Sequence, residues 1–305
     1  MDVSHLLDDL NKPQREAVST PPSPTLVLAG AGSGKTRVLV HRIAWLIQVE
    51  HFSPFSILAV TFTNKAAAEM RARIEQLLGN PVGGMWVGTF HSLSHRLLRR
   101  HWKEAGLPQL FQIIDSDDQL RIVKRVSRNL GLEESYWPAR QTQWFINACK
   151  DRGERAENIE DKGDPQTKQL RAIYASYEHN CQQAGVVDFA ELLLRSLELL
   201  RDTPELLEQY RQRFRHLLVD EFQDTNTLQY GWLRLIAGDT TPPFAVGDDD
   251  QSIYGWRGAK IENIQNFTRD FANTKTIKLE QNYRATATIL AAANAVIANN
   301  TGRMG

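Results

Sequence analysis

A glycine-rich segment near the N-terminus has the residue types of a phosphate-binding loop. Its residues are Ala29, Gly30, Ala31, Gly32, Ser33, Gly34, Lys35 and Thr36. An apolar run precedes the segment and a helix-like run follows it, which is the context that such a loop requires. Glycines let backbone N–H groups turn inward around an anion, and the helix N-terminus adds partial positive charge. Lys35 can then reach the β- and γ-phosphates of a nucleotide, and the Thr36 hydroxyl can reach Mg²⁺.

The segment departs from the usual motif at one position, where Ala29 stands in place of the first glycine. Ala29 ends the apolar run, so a methyl group can fit there. The alternative is a glycine-rich turn that carries a Lys-Thr pair by chance. The flanking strand-like and helix-like runs favour the phosphate-binding interpretation.

A second chemical pair follows the apolar run at residues 216–219, which ends in Asp220 and Glu221. Asp220 can hold Mg²⁺, and Glu221, also a candidate ligand, can orient and deprotonate an attacking water. The alternative is an ordinary helix start. The presence of a phosphate-binding loop in the same chain favours the catalytic interpretation.

Polar and aromatic residues follow further short apolar runs that we predict to be strands. In an open α/β sheet such strand ends lie at the ligand-binding edge. The candidates for contact with a nucleotide or a nucleic acid are Phe62, Thr63, Asn64, Thr89, His91, Gln251, Tyr254, Trp256, Arg257, Tyr283 and Arg284. Aromatic rings such as Phe62 and Trp256 can stack on bases, and Gln251 can sense a γ-phosphate.

Structural alternatives stand beside several of these interpretations. Phe62 can be a core residue, Thr63 can do no more than cap the next helix, and Trp256 can be buried. Gln14 lies in a predicted helix over residues 6–19. Its amide can pair with an adenine edge, or it can be a solvated helix residue.

Two further patterns carry weaker signals. His91 and His95 share a helical face, but no third ligand is apparent, which disfavours zinc. The basic residues that follow, beginning at Arg96, are typical of a solvated helix face, with a phosphate track as the alternative.

Bulk composition limits the class of protein. The chain has 305 residues, enough for about two domains. Lys+Arg and Asp+Glu both number 36, so the net charge is zero and does not indicate a nucleic-acid partner. A local basic face that binds nucleic acid is still compatible with this composition. The two cysteines, Cys149 and Cys181, lack metal-ligand spacing and favour a reducing cytosol. We expect no signal peptide and no membrane-spanning segment.

The middle of the chain changes character. From about residue 111 to 214 strand-like runs vanish and helical periodicity takes over, which predicts a helical domain inserted into an α/β domain. Residues 151–167 are charged and are predicted to form an exposed loop. We expect the core of the helical domain to contain Tyr136, Trp137, Trp144 and Phe145.

Seven segments, in order, resemble the superfamily 1A DNA helicases of the UvrD/Rep/PcrA type. They are residues 13–18, 29–36, 59–67, 87–92, 218–224, 246–259 and 281–284. In this family an alanine at the position of Ala29 is itself usual.

The resemblance implies an α/β fold with a RecA-like P-loop domain, mostly parallel in its sheet, with helices on both faces. That domain would comprise residues 1–89 and 215–280, with an all-helical insertion at 90–214 and the start of a second RecA-like domain at 281–305. It also implies ATP-driven 3′ to 5′ movement on single-stranded DNA and unwinding of duplexes at junctions, in repair. ATP and Mg²⁺ would be the cofactors, with repair proteins as further partners, in the bacterial cytoplasm at the nucleoid.

The resemblance also assigns roles by position. Gln14 and Tyr283 would contact adenine, and Arg37 would lie near the nucleotide. Lys35, Thr36, Asp220 and Glu221 keep the roles given above, while Gln251 and Arg284 would contact the γ-phosphate. The DNA-contact positions would be Phe62, Thr63, Asn64, Thr89, His91, Tyr254, Trp256 and Arg257.

Members of the family are longer than this chain, and two of their motifs are expected beyond Gly305. One of these carries a second arginine finger, whose removal typically costs on the order of 10³–10⁵ in rate. We therefore expect weak ATP turnover from this chain. Two alternatives are a nucleotide-sensing module that binds DNA or protein without motor activity, and a P-loop ATPase unrelated to nucleic acid.

Overall fold

The computed structural model describes residues 3–160, 163–255 and 258–298. The chain divides into two compact units by its internal contacts. Unit 1 comprises Met1–Leu93, Glu205–Thr225 and Leu233–Gly305, and unit 2 comprises Ser94–Pro204 and Asn226–Trp232.

Eight strands are defined in the described residues. They are β1 (Thr25–Ala29), β2 (Ile57–Thr61), β3 (Trp86–Thr89), β4 (Gln112–Ile113), β5 (Val186–Val187), β6 (His216–Val219), β7 (Pro243–Gly247) and β8 (Lys275–Leu279). The α-helices are α1 (Lys12–Ser19), α2 (Lys35–Gln48), α3 (Asn64–Leu78), α4 (Phe90–Arg100), α5 (Ser116–Asn129), α6 (Ala139–Asp151), α7 (Pro165–Ala184), α8 (Phe189–Asp202), α9 (Pro204–Arg213), α10 (Thr227–Ala237), α11 (Glu262–Asp270) and α12 (Ala287–Ile297).

Unit 1 is built on a six-stranded sheet in the order β3-β2-β6-β7-β1-β8. Every pairing in it is parallel. All residues of β1, β2, β3, β6 and β7 are buried, as expected for short apolar strands with both faces covered. The predicted α/β fold with a mostly parallel sheet is confirmed, and it is consistent with the RecA-like class.

The first predicted helix begins later than expected. Residues 6–19 do not form one helix, because Ser4–Leu6 is a separate 3₁₀ turn and α1 begins at Lys12. Asn11 caps α1 by accepting a hydrogen bond from the Gln14 N–H at 2.9 Å, and Pro13 lies in the first turn. A side chain that caps a helix fixes its start, whatever apolar residues precede it.

Unit 2 is mainly helical, with a core that includes Val123, Ile146, Tyr174 and Tyr177. The prediction that strands are absent from this region was wrong in detail. The two-residue strands β4 and β5 pair in parallel there.

Two of the aromatic residues predicted for the core of unit 2 are on its surface. Tyr136 is 78% exposed and Trp144 is 65% exposed. Trp137 and Phe145 are partly buried, and Phe145 packs against the core. The reason lies in α6, which buries the stripe Ala139, Thr142, Gln143, Ile146, Cys149 and Lys150 and so places Trp144 on the opposite face.

In its described residues, the segment predicted at 151–167 is not a plain exposed loop. It contains a 3₁₀ turn at Ala156–Asn158, and its last residues open α7. Arg155 forms ion pairs with Glu178, Glu191 and Glu198 at 2.5–2.9 Å. Arg155 therefore belongs to an internal ionic network, which local charge density does not reveal.

Lys150 is the buried centre of the same network. Its Nζ lies 2.6 Å from Asp188 Oδ2 and 2.9 Å from Glu191 Oε2. Burial alone would lower the pKa of Lys150, but the two carboxylates outweigh burial and raise it. In the described parts of the chain, no helix has the length and apolar character needed to cross a membrane.

Candidate nucleotide-binding site

Three strand ends bring the candidate catalytic residues to one edge of the sheet. Because β6, β7 and β1 are adjacent and parallel, their carboxyl ends lie side by side. The glycine-rich loop follows β1, Asp220 follows β6 and Asp248 follows β7. The sheet topology therefore gathers segments that are more than 180 residues apart, as shown by the Thr36–Asp220 contact.

The glycine-rich loop turns sharply before α2 begins at Lys35. Gly32 and Gly34 have φ angles of 69° and 90°, which side-chain-bearing residues rarely adopt. The Ser33 N–H and hydroxyl both donate to the Gly30 carbonyl, at 3.2 and 2.7 Å. Ala29 is the last residue of β1 and is buried, so its methyl group fits in the sheet as predicted.

Lys35 points to the acidic strand end. Its Nζ lies 3.1 Å from Glu221 Oε2, yet this buried ammonium makes no hydrogen bond within the described residues. The Thr36 hydroxyl donates to Asp220 Oδ2 at 3.4 Å. A buried ammonium without hydrogen bonds is costly, and an anionic ligand would satisfy its donors.

The carboxylates at this edge are held in unfavourable surroundings. Burial, with the neighbouring charge of Glu221, raises the pKa of Asp220 to about 6. The same two causes raise the pKa of Asp224 to about 6, and burial raises the pKa of Asp248. A cation at this edge would relieve the repulsion among these groups.

No group of three or more His, Cys, Asp or Glu residues in the described ranges is arranged to hold a metal ion by itself. Mg²⁺ is usually bound by one or two protein oxygens together with substrate phosphates and water. Asp220 and Thr36 provide such oxygens.

Gln14 is buried, so the alternative of a solvated helix residue is wrong. Its Oε1 accepts from the Asn11 N–H at 3.0 Å and its Nε2 donates to the Ser33 carbonyl at 2.8 Å. A Cβ at Gly34 would approach Gln14 Nε2 to 2.8 Å, so a glycine is needed there for close packing as well as for its φ. The structure thus places Gln14 directly against the loop.

Residues 281–284 also contact the loop. The Tyr283 N–H donates to the Gly32 carbonyl at 3.0 Å, and the Tyr283 hydroxyl accepts from Asn11 Nδ2 at 2.7 Å. Asn282 Nδ2 donates to the Ala31 carbonyl, and Asn282 Oδ1 accepts from the Arg284 N–H. Tyr283 and Arg284 are exposed beside the loop, while Arg37 pairs instead with Asp9 at 3.5 Å.

Gln251 lies at the end of β7, in a 3₁₀ turn at Asp249–Gln251. Its Nε2 donates to the Asp248 carboxylate. Asp248 in turn connects to β6, because its N–H donates to Gln223 Oε1 at 3.0 Å. The structure therefore links Gln251 to the Asp220–Glu221 strand end.

The candidate DNA contacts after β2 differ in exposure. Asn64 is exposed, and Phe62 is half-buried with its ring edge-on to Phe90 at 5.8 Å. The Thr63 hydroxyl accepts from the Ala66 N–H at 3.0 Å and so caps α3. The capping role considered for Thr63 is therefore observed. Because the Thr63 hydroxyl is already used, the exposed Asn64 is a clearer candidate than Thr63 for contact with DNA.

The candidate contacts after β3 are partly engaged. Thr89 is buried, and its hydroxyl accepts from the Ser92 N–H at 3.2 Å. His91 is partly buried, which lowers its pKa.

His95 Nε2 accepts from Arg99 Nε at 2.9 Å, so this nitrogen already has a partner. Arg99 also stacks on the Phe111 ring at 4.0 Å, which gives this part of the basic run a structural role.

Tyr254 is 36% exposed in the loop after β7, while Trp256 and Arg257 lie outside the described residues.

Several site residues were missed by sequence reasoning. Gln223 and Asp248 belong to quoted motifs but received no role, and Asn11 and Asn282 were not singled out. Gln223, Asp248 and Asn282 lie inside motif segments, which was an available signal, whereas Asn11 lies just before the first of them. Their partners depend on tertiary structure, however, and no local pattern specifies them.

Comparisons with known proteins agree with this architecture. The sequence model of the UvrD/REP helicase N-terminal domain matches residues 10–272. DNA helicase II of Escherichia coli K12 is 62% identical over 305 residues, which cover all of this chain and 42% of that protein. The ATP-dependent DNA helicase PcrA of Staphylococcus aureus Mu50 is 42% identical over 302 residues, covering 99% of this chain and 41% of that protein. The chain thus spans about two-fifths of these relatives' length.

The parallel sheet and its glycine-rich loop define an α/β domain of the RecA-like type. The chain belongs to the UvrD/REP helicase N-terminal domain family.

Proposed function

We propose that this chain is the ATP- and single-stranded-DNA-binding part of an ATP-dependent 3′–5′ DNA helicase that acts in DNA repair. The observation that carries the proposal is the approach of Lys35 and Thr36 to Glu221 and Asp220, at 3.1 and 3.4 Å. The names of two relatives, DNA helicase II and ATP-dependent DNA helicase PcrA, support the same activity.

The site has the donors that a nucleotide with Mg²⁺ requires. Lys35 offers a buried ammonium without hydrogen bonds among the described residues, and the helix N-terminus at Gly34 adds positive potential. Asp220 and Thr36 would hold Mg²⁺, which, when bound, neutralises charge on the β- and γ-phosphates. Gln14 and Tyr283, on the outer side of the loop, would hold the adenine.

Glu221 would orient the attacking water and accept its proton. Lys35 would leave Glu221 to contact the phosphates, so that the carboxylate becomes available as a base. Gln251 and the exposed Arg284 would contact the γ-phosphate, and Arg284 would stabilise the charge that develops there. Arg37 would assist from its exposed position near the loop.

DNA would lie along the strand-end loops that carry Phe62, Asn64, His91 and Tyr254, together with Trp256 and Arg257. Thr63 and Thr89 would position these loops and contribute backbone-phosphate contacts. Stacking on aromatic rings is tolerant of sequence, which suits movement along any single strand. Junctions of single- and double-stranded DNA and repair proteins would be further partners, in the bacterial cytoplasm.

The domain division follows from the same reasoning. We assign residues 1–89 and 215–280 to the ATP-binding domain, 90–214 to the helical insertion and 281–305 to the start of a second motor domain. A motor needs a cleft that opens and closes between two such domains. We therefore expect the 305-residue chain to bind ATP weakly and to hydrolyse it slowly.

The test is the affinity and hydrolysis of ATP by the 305-residue chain, measured with and without single-stranded DNA. The proposal expects DNA binding that responds to ATP, with slow turnover. ATP binding that is indifferent to DNA would identify a P-loop ATPase unrelated to nucleic acid. Rapid DNA-stimulated turnover would contradict the need for two motor domains, and binding of both ligands without mutual effect would identify a binding module.

A further inference from the structure

Gln223 is a buried amide between Glu221 and the end of β7. Its side chain is 1% exposed, and both ends of the amide are used. Nε2 donates to Glu221 Oε2 at 2.8 Å, and Oε1 accepts from the Asp248 N–H at 3.0 Å. The amide therefore joins the loop after β6 to the loop after β7.

The contacts of Gln223 continue on both sides. Oε2 of Glu221 is the same oxygen that faces Lys35 Nζ at 3.1 Å. On the other side, the Asp248 carboxylate accepts from Gln251 Nε2. One chain of contacts thus runs from Lys35 through Glu221, Gln223 and Asp248 to Gln251.

The backbone places Gln223 for this role. Glu221 adopts a left-handed conformation with φ 48°, and a 3₁₀ turn at Phe222–Asp224 follows it. The Asp224 N–H donates to the Glu221 carbonyl at 2.9 Å and closes this turn. The turn brings the Gln223 side chain back to the carboxylate of Glu221.

Gly247 fits Gln223 closely. A Cβ at position 247 would lie 2.9 Å from Gln223 Oε1 and 3.4 Å from the Gln223 backbone nitrogen. Any larger residue there would displace the amide. A substitution at Gly247 therefore disturbs Gln223 without changing its chemistry.

We propose that Gln223 is a positioning residue for ATP hydrolysis, which aims Glu221 and couples it to the segment that carries Gln251. This rests on the proposed function, in which Glu221 activates water and Gln251 contacts the γ-phosphate. When Lys35 moves to the phosphates, Gln223 is the group that still restrains Glu221. Gln251 is connected to Gln223 through Asp248. A contact between Gln251 and the γ-phosphate would therefore also stabilise the Glu221 carboxylate in its catalytic orientation.

The decisive variant is Gln223→Met, because methionine has a similar length and fills the space but cannot reproduce either hydrogen bond. Gln223→Glu keeps the acceptor for the Asp248 N–H and loses the donor to Glu221. Gly247→Ala displaces the amide from outside. The matched control is Gln143→Met, which removes a buried glutamine of unit 2 whose Nε2 donates to the Ser116 carbonyl at 2.7 Å.

Two quantities are measured on the 305-residue chain with Mg²⁺, after thermal unfolding shows that each variant is folded. They are the single-turnover rate of ATP hydrolysis and the ratio of ATP to ADP affinity. For the three site variants we expect the hydrolysis rate to fall about tenfold or more. We expect ATP affinity to fall by no more than about threefold, and the ratio of ATP to ADP affinity to fall with it. The Gln143→Met control is expected to change neither quantity.

If Gln223→Met hydrolyses ATP and prefers ATP over ADP as the unsubstituted chain does, the proposal is overturned, because Gln223 would then have only a packing role. If hydrolysis by the unsubstituted chain is below detection, the ATP-to-ADP ratio decides alone. Failure of the proposed function looks different. If the proposed function is wrong, Lys35→Ala leaves nucleotide affinity unchanged. If only the role of Gln223 is wrong, Lys35→Ala still weakens nucleotide binding.

Discussion

Lys35 and Glu221 face each other across 3.1 Å, with the ammonium and the carboxylate both at the carboxyl edge of the parallel sheet. The two groups are 186 residues apart in sequence. They follow β1 and β6, which lie on either side of β7 in the sheet. The ammonium and the carboxylate form an ion pair. In the proposed function, a triphosphate that takes over the ammonium would release the carboxylate, so that nucleotide binding would also activate the base.

Glu221→Gln separates these two roles. An amide does not compete for Lys35 as a carboxylate does, so we expect ATP affinity to be retained or raised. Loss of the base should slow single-turnover hydrolysis by about 10²–10⁴-fold. The control is Glu69→Gln, an exposed residue of α3 that pairs with Arg73 at 3.7 Å. Unchanged hydrolysis in Glu221→Gln would remove Glu221 from the mechanism.

Asp220→Asn should stabilise the nucleotide-free chain at neutral pH. The pKa of Asp220 is raised to about 6, so the folded chain retains a proton that the unfolded chain releases between about pH 4 and 6. Above that range the ionised group lowers the free energy of unfolding, by up to about 3 kcal/mol for this shift. Asparagine carries no such charge. The gain in the free energy of unfolding of Asp220→Asn over the unsubstituted chain is therefore largest at pH 7 and disappears near pH 4.

Urea unfolding of both proteins from pH 4 to 7.5 measures this difference. The exposed Asp239→Asn serves as the control. If the difference in the free energy of unfolding between Asp220→Asn and the unsubstituted chain stays constant across this range, burial does not destabilise the ionised form of Asp220. The same Asp220→Asn variant should lose the Mg²⁺ dependence of ATP binding.

Lys150→Met should destabilise unit 2. Its removal leaves the buried carboxylates of Asp188 and Glu191 without their cation, although Glu191 keeps contacts with Arg155 and Arg195. Breaking a buried ion pair costs about 3–5 kcal/mol, whereas an exposed pair contributes about 0–1 kcal/mol. Chemical denaturation measures the loss, with Lys124→Met, at a more exposed ion pair, as the control. Equal effects of the two substitutions would contradict the account of this network.

Trp256→Ala should weaken single-stranded DNA binding and leave ATP binding intact. Stacking of one base on an aromatic ring contributes about 1–3 kcal/mol, which corresponds to roughly 5- to 150-fold in affinity. The control is Trp144→Ala, a tryptophan that is 65% exposed in unit 2 and to which no DNA contact is assigned. Fluorescence anisotropy of a labelled oligonucleotide measures both. Equal loss in the two variants would refute a specific stacking role for Trp256.

The sequence predicted most of the sheet well because five of its six strands are buried on both faces. The apolar run expected at residues 216–219 agrees with the bounds of β6, since it is a short apolar run that ends in polar residues. Strand ends then determine which loops share an edge, so the meeting of Lys35 with Glu221 was predictable in outline.

Side-chain placement was less predictable, because it depends on tertiary contacts. Tyr136 and Trp144 have core-like chemistry but lie on the surface, whereas the charged Arg155 lies inside an ionic network. Gln223 could not be assigned from its motif, because the left-handed backbone of Glu221 determines where both side chains point. No local pattern reveals that conformation at a glutamate.

The most direct test is a titration of the 305-residue chain with a fluorescent ATP analogue, in Mg²⁺ and in EDTA, for the unsubstituted chain, Lys35→Ala and the exposed-residue control Lys168→Ala. We predict Mg²⁺-dependent binding that weakens at least about tenfold in Lys35→Ala, the cost of losing one charge-assisted contact, and is unchanged in the control. Equal affinity of Lys35→Ala and the unsubstituted chain would contradict the assignment of this edge of the sheet as the nucleotide site.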